Sequence, residues 1–226
     1  MKKCAILSAI GVAAVLSAYA SGTTQFTGLD NRIHKLTASF AAMQQNPDKR
    51  IPADLLRQAQ GIILLNRIQA GFGFAFEGGS GLALVKDAHG DWSPPAFFSA
   101  AEASLGFQGG GDQHFSVILL MTANATHELA HSCVNFGGEA RGIAGDQSAG
   151  AESPAAPMPS TLVYGDRDGF YAGVAMRGGT ISPDNEANAA YYGRPVTIND
   201  ILFANRVKPT PAAAELIRTI SQYSQP

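Results

Sequence analysis

From residue 71 to residue 76 the sequence alternates small and bulky residues with a period of two. Phenylalanine occupies every second position of residues 71–76, and glycine or alanine fills the positions between. This period is typical of a β-strand, because successive side chains point to opposite faces of a sheet. Further strand-like runs follow at 62–65, 82–85, 97–107 and 115–121, without helices alternating between them. Such runs favour an antiparallel sheet over a parallel one.

Small residues on one strand face allow a sheet to coil tightly. We therefore predict an α+β fold, with a strongly curled antiparallel sheet or partial barrel flanked by short helices. A turn over residues 77–80 is expected to join two of the strands, because it contains two adjacent glycines. Short helices are predicted at 53–60, 124–136, 183–191, 198–203 and 211–223, in addition to an N-terminal amphipathic helix.

Composition restricts the function classes. The chain has 226 residues, of which 46% are hydrophobic and only 15% charged, with a formal net charge of −2. This length fits one globular domain with a sizeable core. Lysine and arginine never occur more than two in a row, whereas nucleic-acid binding requires a basic surface that displaces counterions from phosphates. Nucleic acid is therefore excluded as a partner.

The first 20 residues have the pattern of an export signal. Lys2 and Lys3 precede an uncharged apolar run over 5–18, and Ala18-Tyr19-Ala20 supplies the small residues of a cleavage site. Tyr19 stands where a lipoprotein signal would have its cysteine, so a lipid anchor is not expected. We predict a signal peptide over 1–20, an N-terminal helical segment over 21–50 that shares the fold of a domain over 51–226, and a periplasmic location.

Residues 29–46 have the pattern of an amphipathic helix. Its apolar residues recur at steps of four and three, which places them on one stripe of a helix. Two interpretations remain open: the stripe packs on the core of the domain, or it contacts a membrane surface. In the second case Arg32 and Lys35 would add attraction to anionic lipid. The stripe consists of Leu29, Ile33, Leu36, Phe40 and Met43.

His127-Glu128-Leu129-Ala130-His131 matches the His-Glu-x-x-His motif of zinc peptidases. On a helix, His127 and His131 would lie one turn apart and could bind Zn²⁺, while Glu128 polarises a water molecule. The extended form of the motif, with a third histidine six residues after the second, is absent here. A zinc-dependent peptidase is therefore retained as an alternative only, and no cofactor is predicted.

From residue 51 onward the order of the elements resembles the SYLF domain, also called the Ysc84 family. The similarity covers residues 29–203, and its motifs occur in order at matching spacings. They are Ile51-Pro52, the run AGFGFAFEGGSGLALVK at 70–86, Gly90-x-Trp92-Ser93-x-Pro95, Gly106-Phe107-Gln108-x-Gly110, VILLMT at 117–122, Gly169-x-Tyr171-Ala172-Gly173, Asn188-x-x-Tyr191-Tyr192-Gly193 and Ile198-x-Asp200-Ile201-Leu202.

The resemblance implies a non-enzymatic, lipid-binding domain, which in eukaryotes is linked to phosphoinositide membranes and actin. It also implies a role in membrane contact for the helix over 29–43, which occupies the place of the family's amphipathic N-terminal helix. For an exported protein, the expected partner is an anionic phospholipid membrane of the cell envelope. An envelope scaffold that binds other proteins is the second alternative, and no particular protein partner is predicted.

Overall fold

A computed structural model describes residues 28–72, 74–104, 110–131, 134–136, 159–165, 169–171 and 179–225. The export signal predicted over 1–20 lies outside the described residues. The helices are α1 (28–45), α2 (Ala53–Gln58), α3 (Ala123–His127), α4 (Asn185–Tyr192), α5 (Ile198–Leu202) and α6 (Pro211–Tyr223). The strands are β1 (Gly61–Phe72), β2 (Phe74–Val85), β3 (Ala96–Ser104), β4 (Gly110–Leu120), β5 (Val134–Phe136), β6 (Thr161–Gly165), β7 (Gly169–Tyr171) and β8 (Gly179–Pro183).

The described strands form one sheet in the order β5-β8-β3-β2-β1-β4-β6-β7. Every pairing between them is antiparallel, which confirms the predicted α+β class. The pairing leaves the sheet open, with β5 and β7 at its two edges. Strong curling into a partial barrel is not supported. The physical reason is that helices cover the sheet on both faces, so it does not need to close on itself to bury apolar residues.

The two faces of the sheet carry separate hydrophobic cores. Ile62 and Leu64 of β1 belong to the first core, together with residues of α1, α4 and α6. Ile63 and Leu65 point to the opposite side and belong to the second core, which includes α5. We call these two sides the α1 face and the α5 face. All four residues are fully buried, because a strand enclosed on both faces can be apolar at every position.

The turn predicted at residues 77–80 was wrong. Phe72 is paired with Phe74 at the end of β1 and β2, and residues 77–80 lie within β2. Glycine is required there for another reason. A Cβ atom on Gly79 would lie 2.9 Å from the carbonyl oxygen of Asn66, and one on Gly81 would lie 2.7 Å from that of Leu64. These glycines therefore permit close approach of two strands rather than reversal of the chain.

The helix predicted over 124–136 was also wrong in its second half. Thr122 caps α3 by accepting a hydrogen bond from the amide of Ala125. The α-helix ends at His127, a single 3-10 turn covers Glu128–Ala130, and residues 134–136 form β5. β5 pairs with β8, Val134 lying opposite Ile181. Tertiary strand pairing therefore overrides the local helical pattern.

Helix α1 lies against the sheet and beside α6. Phe40 of α1 makes an edge-to-face contact with Tyr223 of α6, the ring centroids being 5.9 Å apart. His34, which precedes Phe40 in α1, lies beside Glu215, which precedes Tyr223 in α6. The two helices therefore run in the same direction. Asn46 ends α1, since its side chain accepts a hydrogen bond from the amide of Asp48, and Pro47 follows.

Candidate functional site

The apolar stripe of α1 was the predicted membrane-contacting surface. The structure places all five of its residues in the first core, where none is more than 8% exposed. They are Leu29, Ile33, Leu36, Phe40 and Met43. The core-packing interpretation thus describes the structure, and insertion of the stripe into a membrane would require α1 to leave the sheet. A role of these residues in lipid contact stays a prediction.

Three basic side chains border the stripe. Arg32 lies over the ring of Phe97, 5.3 Å from its centroid, and its Nη1 is 3.6 Å from Oδ2 of Asp184. His34 Nδ1 is 3.3 Å from Oε2 of Glu215, and both side chains are about half exposed. Lys35 is exposed. The flank of α1 therefore presents the exposed ammonium of Lys35, whereas Arg32 and His34 are tied to the start of α4 and to α6.

The His-Glu-x-x-His motif does not have the geometry that zinc peptidases require. His127 ends α3 and stacks on Phe203, with ring centroids 5.1 Å apart. His131 follows the 3-10 turn in an extended conformation, and its Nδ1 lies 3.2 Å from Oε2 of Glu128. Two histidines converge on a metal from one helix face only if the helix is continuous between them. In the described part of the chain, no three His, Cys, Asp or Glu side chains are grouped closely enough to hold a metal ion.

Asn188 carries a structural role that its motif did not predict. The residue is fully buried, and its side-chain amide forms two hydrogen bonds with the backbone of Phe97, one with the N–H group and one with the carbonyl. The amide of Phe97 donates to Oδ1 over 2.8 Å, and Nδ2 donates to the carbonyl of Phe97 over 3.0 Å. The side chain of Asn188 thus extends the pairing of β3 beyond the end of β8, and it fixes α4 on the sheet.

The two tyrosines that follow also fix α4. The hydroxyl of Tyr191 donates to Asp30 of α1 over 3.4 Å and contacts the hydroxyl of Thr210. The hydroxyl of Tyr192 donates to the carbonyl of Pro95 over 2.6 Å. Burial raises the pKa of Tyr191 to about 12 and raises that of Tyr192. Both phenols therefore stay neutral donors at physiological pH.

Asp200 organises the chain around α5. Thr197 and Asp200 form a reciprocal capping box at the start of the helix, and Arg206 donates to Asp200 over 2.9 Å. The hydrogen bonds from Thr197, followed by the one from Arg206, lower the pKa of this carboxyl group.

Gly193, which ends α4, has φ = +66°, a left-handed conformation that favours glycine.

Lys86 connects the end of β2 to the C-terminal end of α2. The ammonium of Lys86 donates to the carbonyls of Leu56 and Arg57 over 3.2 and 2.7 Å, which satisfies the C-terminal end of α2. The same ammonium lies 4.7 Å from the ring centroid of Trp92. Burial lowers the pKa of Lys86. Lys86 therefore holds α2 against the end of β2, and Trp92 contacts its ammonium.

Sequence reasoning missed a row of polar residues across the middle of the sheet. Asn66 of β1 lies opposite Ser80 of β2, which lies opposite Ser99 of β3. Asn66 and Ser80 are half-buried, and Ser99 is exposed. We call Asn66, Ser80 and Ser99 the polar row. The three residues are far apart in sequence, so only the strand register could have identified it.

Within the described residues, no helix combines the length and the hydropathy that crossing a bilayer requires.

Several known proteins are similar to this chain in sequence. LAS seventeen-binding protein 3 of Saccharomyces cerevisiae (strain ATCC 204508 / S288c) is 31% identical over 193 residues, which cover 82% of this chain and 42% of that protein. SH3 domain-containing YSC84-like protein 1 of Homo sapiens is 31% identical over 175 residues, which cover 76% of this chain and 51% of that protein. The chain spans about half the length of these curated relatives. No solved structure matches it significantly.

A sequence model of one family also matches residues 101–223, more than half of the chain. The family is described as "Ysc84: Las17-binding protein actin regulator". This agrees with the resemblance carried by the Asn188 and Asp200 motifs, whose side chains are used to assemble the fold. The chain belongs to the Ysc84 (SYLF) family.

Proposed function

We propose that this chain is an exported, non-enzymatic module that binds anionic phospholipid at the membrane of the cell envelope. The proposal rests on one observation: the polar side chains of the family motifs hold the fold together. Asn188, Tyr192, Asp200 and Lys86 each hold one element of the fold to another. A binding role fits this arrangement better than a catalytic one. The human and yeast relatives are likewise named after binding or after the family.

We place the contact with headgroups on the flank of α1. Each cation near an anionic surface contributes about 1 kcal/mol, and salt weakens this attraction. Inserting the stripe instead would exchange burial in the core for burial in acyl chains, and each environment contributes roughly 1.5–3 kcal/mol per side chain, so the exchange brings no net gain. It would also expose the sheet residues that they cover. Lys35 and Arg32 are therefore proposed as headgroup contacts, while Leu29, Ile33, Leu36, Phe40 and Met43 keep α1 in place.

Co-sedimentation of residues 21–226 with vesicles tests the proposal. We expect binding to vesicles that contain phosphatidylglycerol, no binding to pure phosphatidylcholine, and a decrease with added salt. Lys35→Glu should weaken binding several-fold. Arg194→Glu makes the same change of charge in the connection between α4 and α5, and it should have little effect. Absence of binding both to phosphatidylglycerol and to a bacterial lipid extract would refute the lipid-binding role.

The proposed export is tested separately. Expression of the full chain with a C-terminal tag should give a periplasmic protein whose N-terminus, determined by mass spectrometry, is Ser21. An unprocessed chain in the cytoplasmic fraction would refute export without bearing on lipid binding.

A further inference from the structure

Helices α1 and α6 lie side by side on the α1 face of the sheet. Two contacts fix this arrangement: Phe40 packs edge-to-face against Tyr223, and His34 Nδ1 lies 3.3 Å from Oε2 of Glu215. The buried apolar residues of both helices belong to the first core. The sides of the two helices that point away from this core therefore form one outer surface, which we call the α1–α6 surface.

The exposed residues of the α1–α6 surface include cations but no acidic residue. Over the full length of both helices the acidic residues are Asp30 and Glu215, which are partly buried and contact a side chain of a neighbouring helix. Lys35 of α1 and Arg218 of α6 are exposed. The other exposed residues are Gly28, Asn31, His34, Ala38, Ala42, Gln45, Pro211, Ala214 and Gln222.

Exposed carboxylates of the described chain lie outside both helices, although the whole chain has a net charge of −2. They are Asp48, Asp54, Asp87, Asp91, Glu128 and Glu186. Some exposed cations elsewhere are paired with a carboxylate, Arg57 with Asp54 and Arg206 with Asp200. The charges of Lys35 and Arg218 are not balanced by an exposed acid on either helix, so this side of the protein attracts an anionic partner.

The form of the α1–α6 surface decides between anionic partners. A small ligand is bound in a concave site, whereas two packed helices present a convex one. A protein partner needs aromatic or large aliphatic anchors at the centre of the interface, but the exposed side chains between the cations are mostly alanine, asparagine and glutamine. A layer of anionic headgroups needs no such anchor, because the attraction adds up over the cations near it.

We propose that an anionic bilayer binds across the α1–α6 surface as a whole, with Arg218 of α6 as a headgroup contact in addition to those of α1. The guanidinium of arginine can donate to two phosphate oxygens at once. Both helices stay packed on the sheet when the protein is bound. This inference rests on the proposed lipid-binding function and adds a second helix to the contact, which defines the orientation of the protein on the membrane.

Vesicle binding of charge-neutralising variants tests the surface. The probe is vesicles of phosphatidylglycerol mixed with phosphatidylcholine, added at low salt to residues 21–226. Arg218→Gln should weaken binding about fivefold, which corresponds to the ~1 kcal/mol that one cation contributes near an anionic surface. Arg218→Lys should bind within twofold of the parent. Arg194 is also exposed but follows α4, so Arg194→Gln removes the same charge outside the surface and should change binding less than twofold.

A variant of opposite sign gives a second test. Glu215→Gln removes the partly exposed carboxylate between the two helices and should strengthen binding about fivefold. Glu128→Gln is its control, because Glu128 faces His131 in a similar pair and precedes Leu129 of the second core, on the α5 face. Thermal midpoints of these variants should stay close to that of the parent, since exposed charges and their pairs contribute little to stability.

The pattern of losses separates this surface from the proposed function. Binding that falls with Lys35→Glu but not with Arg218→Gln would overturn the α1–α6 surface and leave the proposed function intact. Equal losses for Arg218→Gln and Arg194→Gln would also overturn it, because binding would then follow the net charge of the chain. Failure of the parent to bind phosphatidylglycerol vesicles or a bacterial lipid extract would overturn both.

Discussion

Replacing Phe40 by alanine tests whether the stripe of α1 belongs to the core. The ring is fully buried and makes an edge-to-face contact with Tyr223. Truncation of a buried phenylalanine costs about 3–5 kcal/mol, including the cavity that it leaves. For a domain of this size each kcal/mol shifts the midpoint by about 2–4 °C. We therefore expect the melting temperature of Phe40→Ala to fall by roughly 6–20 °C.

The assay is urea and thermal unfolding of residues 21–226, followed by circular dichroism and by the fluorescence of Trp92, the single tryptophan of the chain. Gln45→Ala is the matched control, because it truncates an exposed side chain of the same helix, where changes stay within about 0.5 kcal/mol. Vesicle binding is measured well below both midpoints. A Phe40→Ala variant within about 1 kcal/mol of the parent that has lost vesicle binding would refute the core assignment and favour the stripe as the membrane-contacting surface.

Two further variants test the residues that fix the helices. Asn188→Ala leaves the buried amide of Phe97 without its partner and should lower the free energy of unfolding by about 2–4 kcal/mol. Asn185 is exposed on the same helix, so Asn185→Ala should be nearly neutral. Equal effects of the two variants in urea unfolding would contradict the role of Asn188. The lowered pKa of Asp200 means that its contribution to stability is present above the unfolded-state value near 4 and is lost as the pH falls through the folded-state value. Asp200→Asn should therefore lower the melting temperature at pH 7 and reduce the fall of the melting temperature between about pH 5 and 2. Part of this fall remains in the variant because the pKa of Asp87 is also lowered. Parallel plots of melting temperature against pH for parent and variant would contradict this account.

The helices with strong local signals were predictable. Thr210 caps α6 and Pro211 occupies its first turn, so both bounds of this helix agree with the prediction of 211–223. The limits of α5 agree to within one residue for the same reason, because Thr197 and Asp200 form a capping box. Capping and periodicity depend on residues close together in the sequence, so the sequence alone is enough to predict the limits of these helices.

The errors occurred where distant parts of the chain decide the outcome. The run after Glu128 has the period of a helix, but the pairing of Val134 with Ile181 converts its end into a strand. Gly79 resembles a turn residue until the close approach of Asn66 is known. The polar row needs the register of three strands, which no single segment specifies. The α1 stripe was identified correctly as a pattern, but the pattern is the same for a core helix and for a membrane helix.

The contact between α1 and α6 has a consequence for how the protein folds. Phe40 and Tyr223 are far apart in the sequence, yet they meet in the same core. Their contact closes a loop of about 180 residues, and non-local contacts of this kind slow folding because the entropy of closure is lost before they form. During synthesis α1 emerges early, but α6 must leave the ribosome before the core that they share can close. The chain therefore acquires its native stability only once Tyr223 has left the exit tunnel.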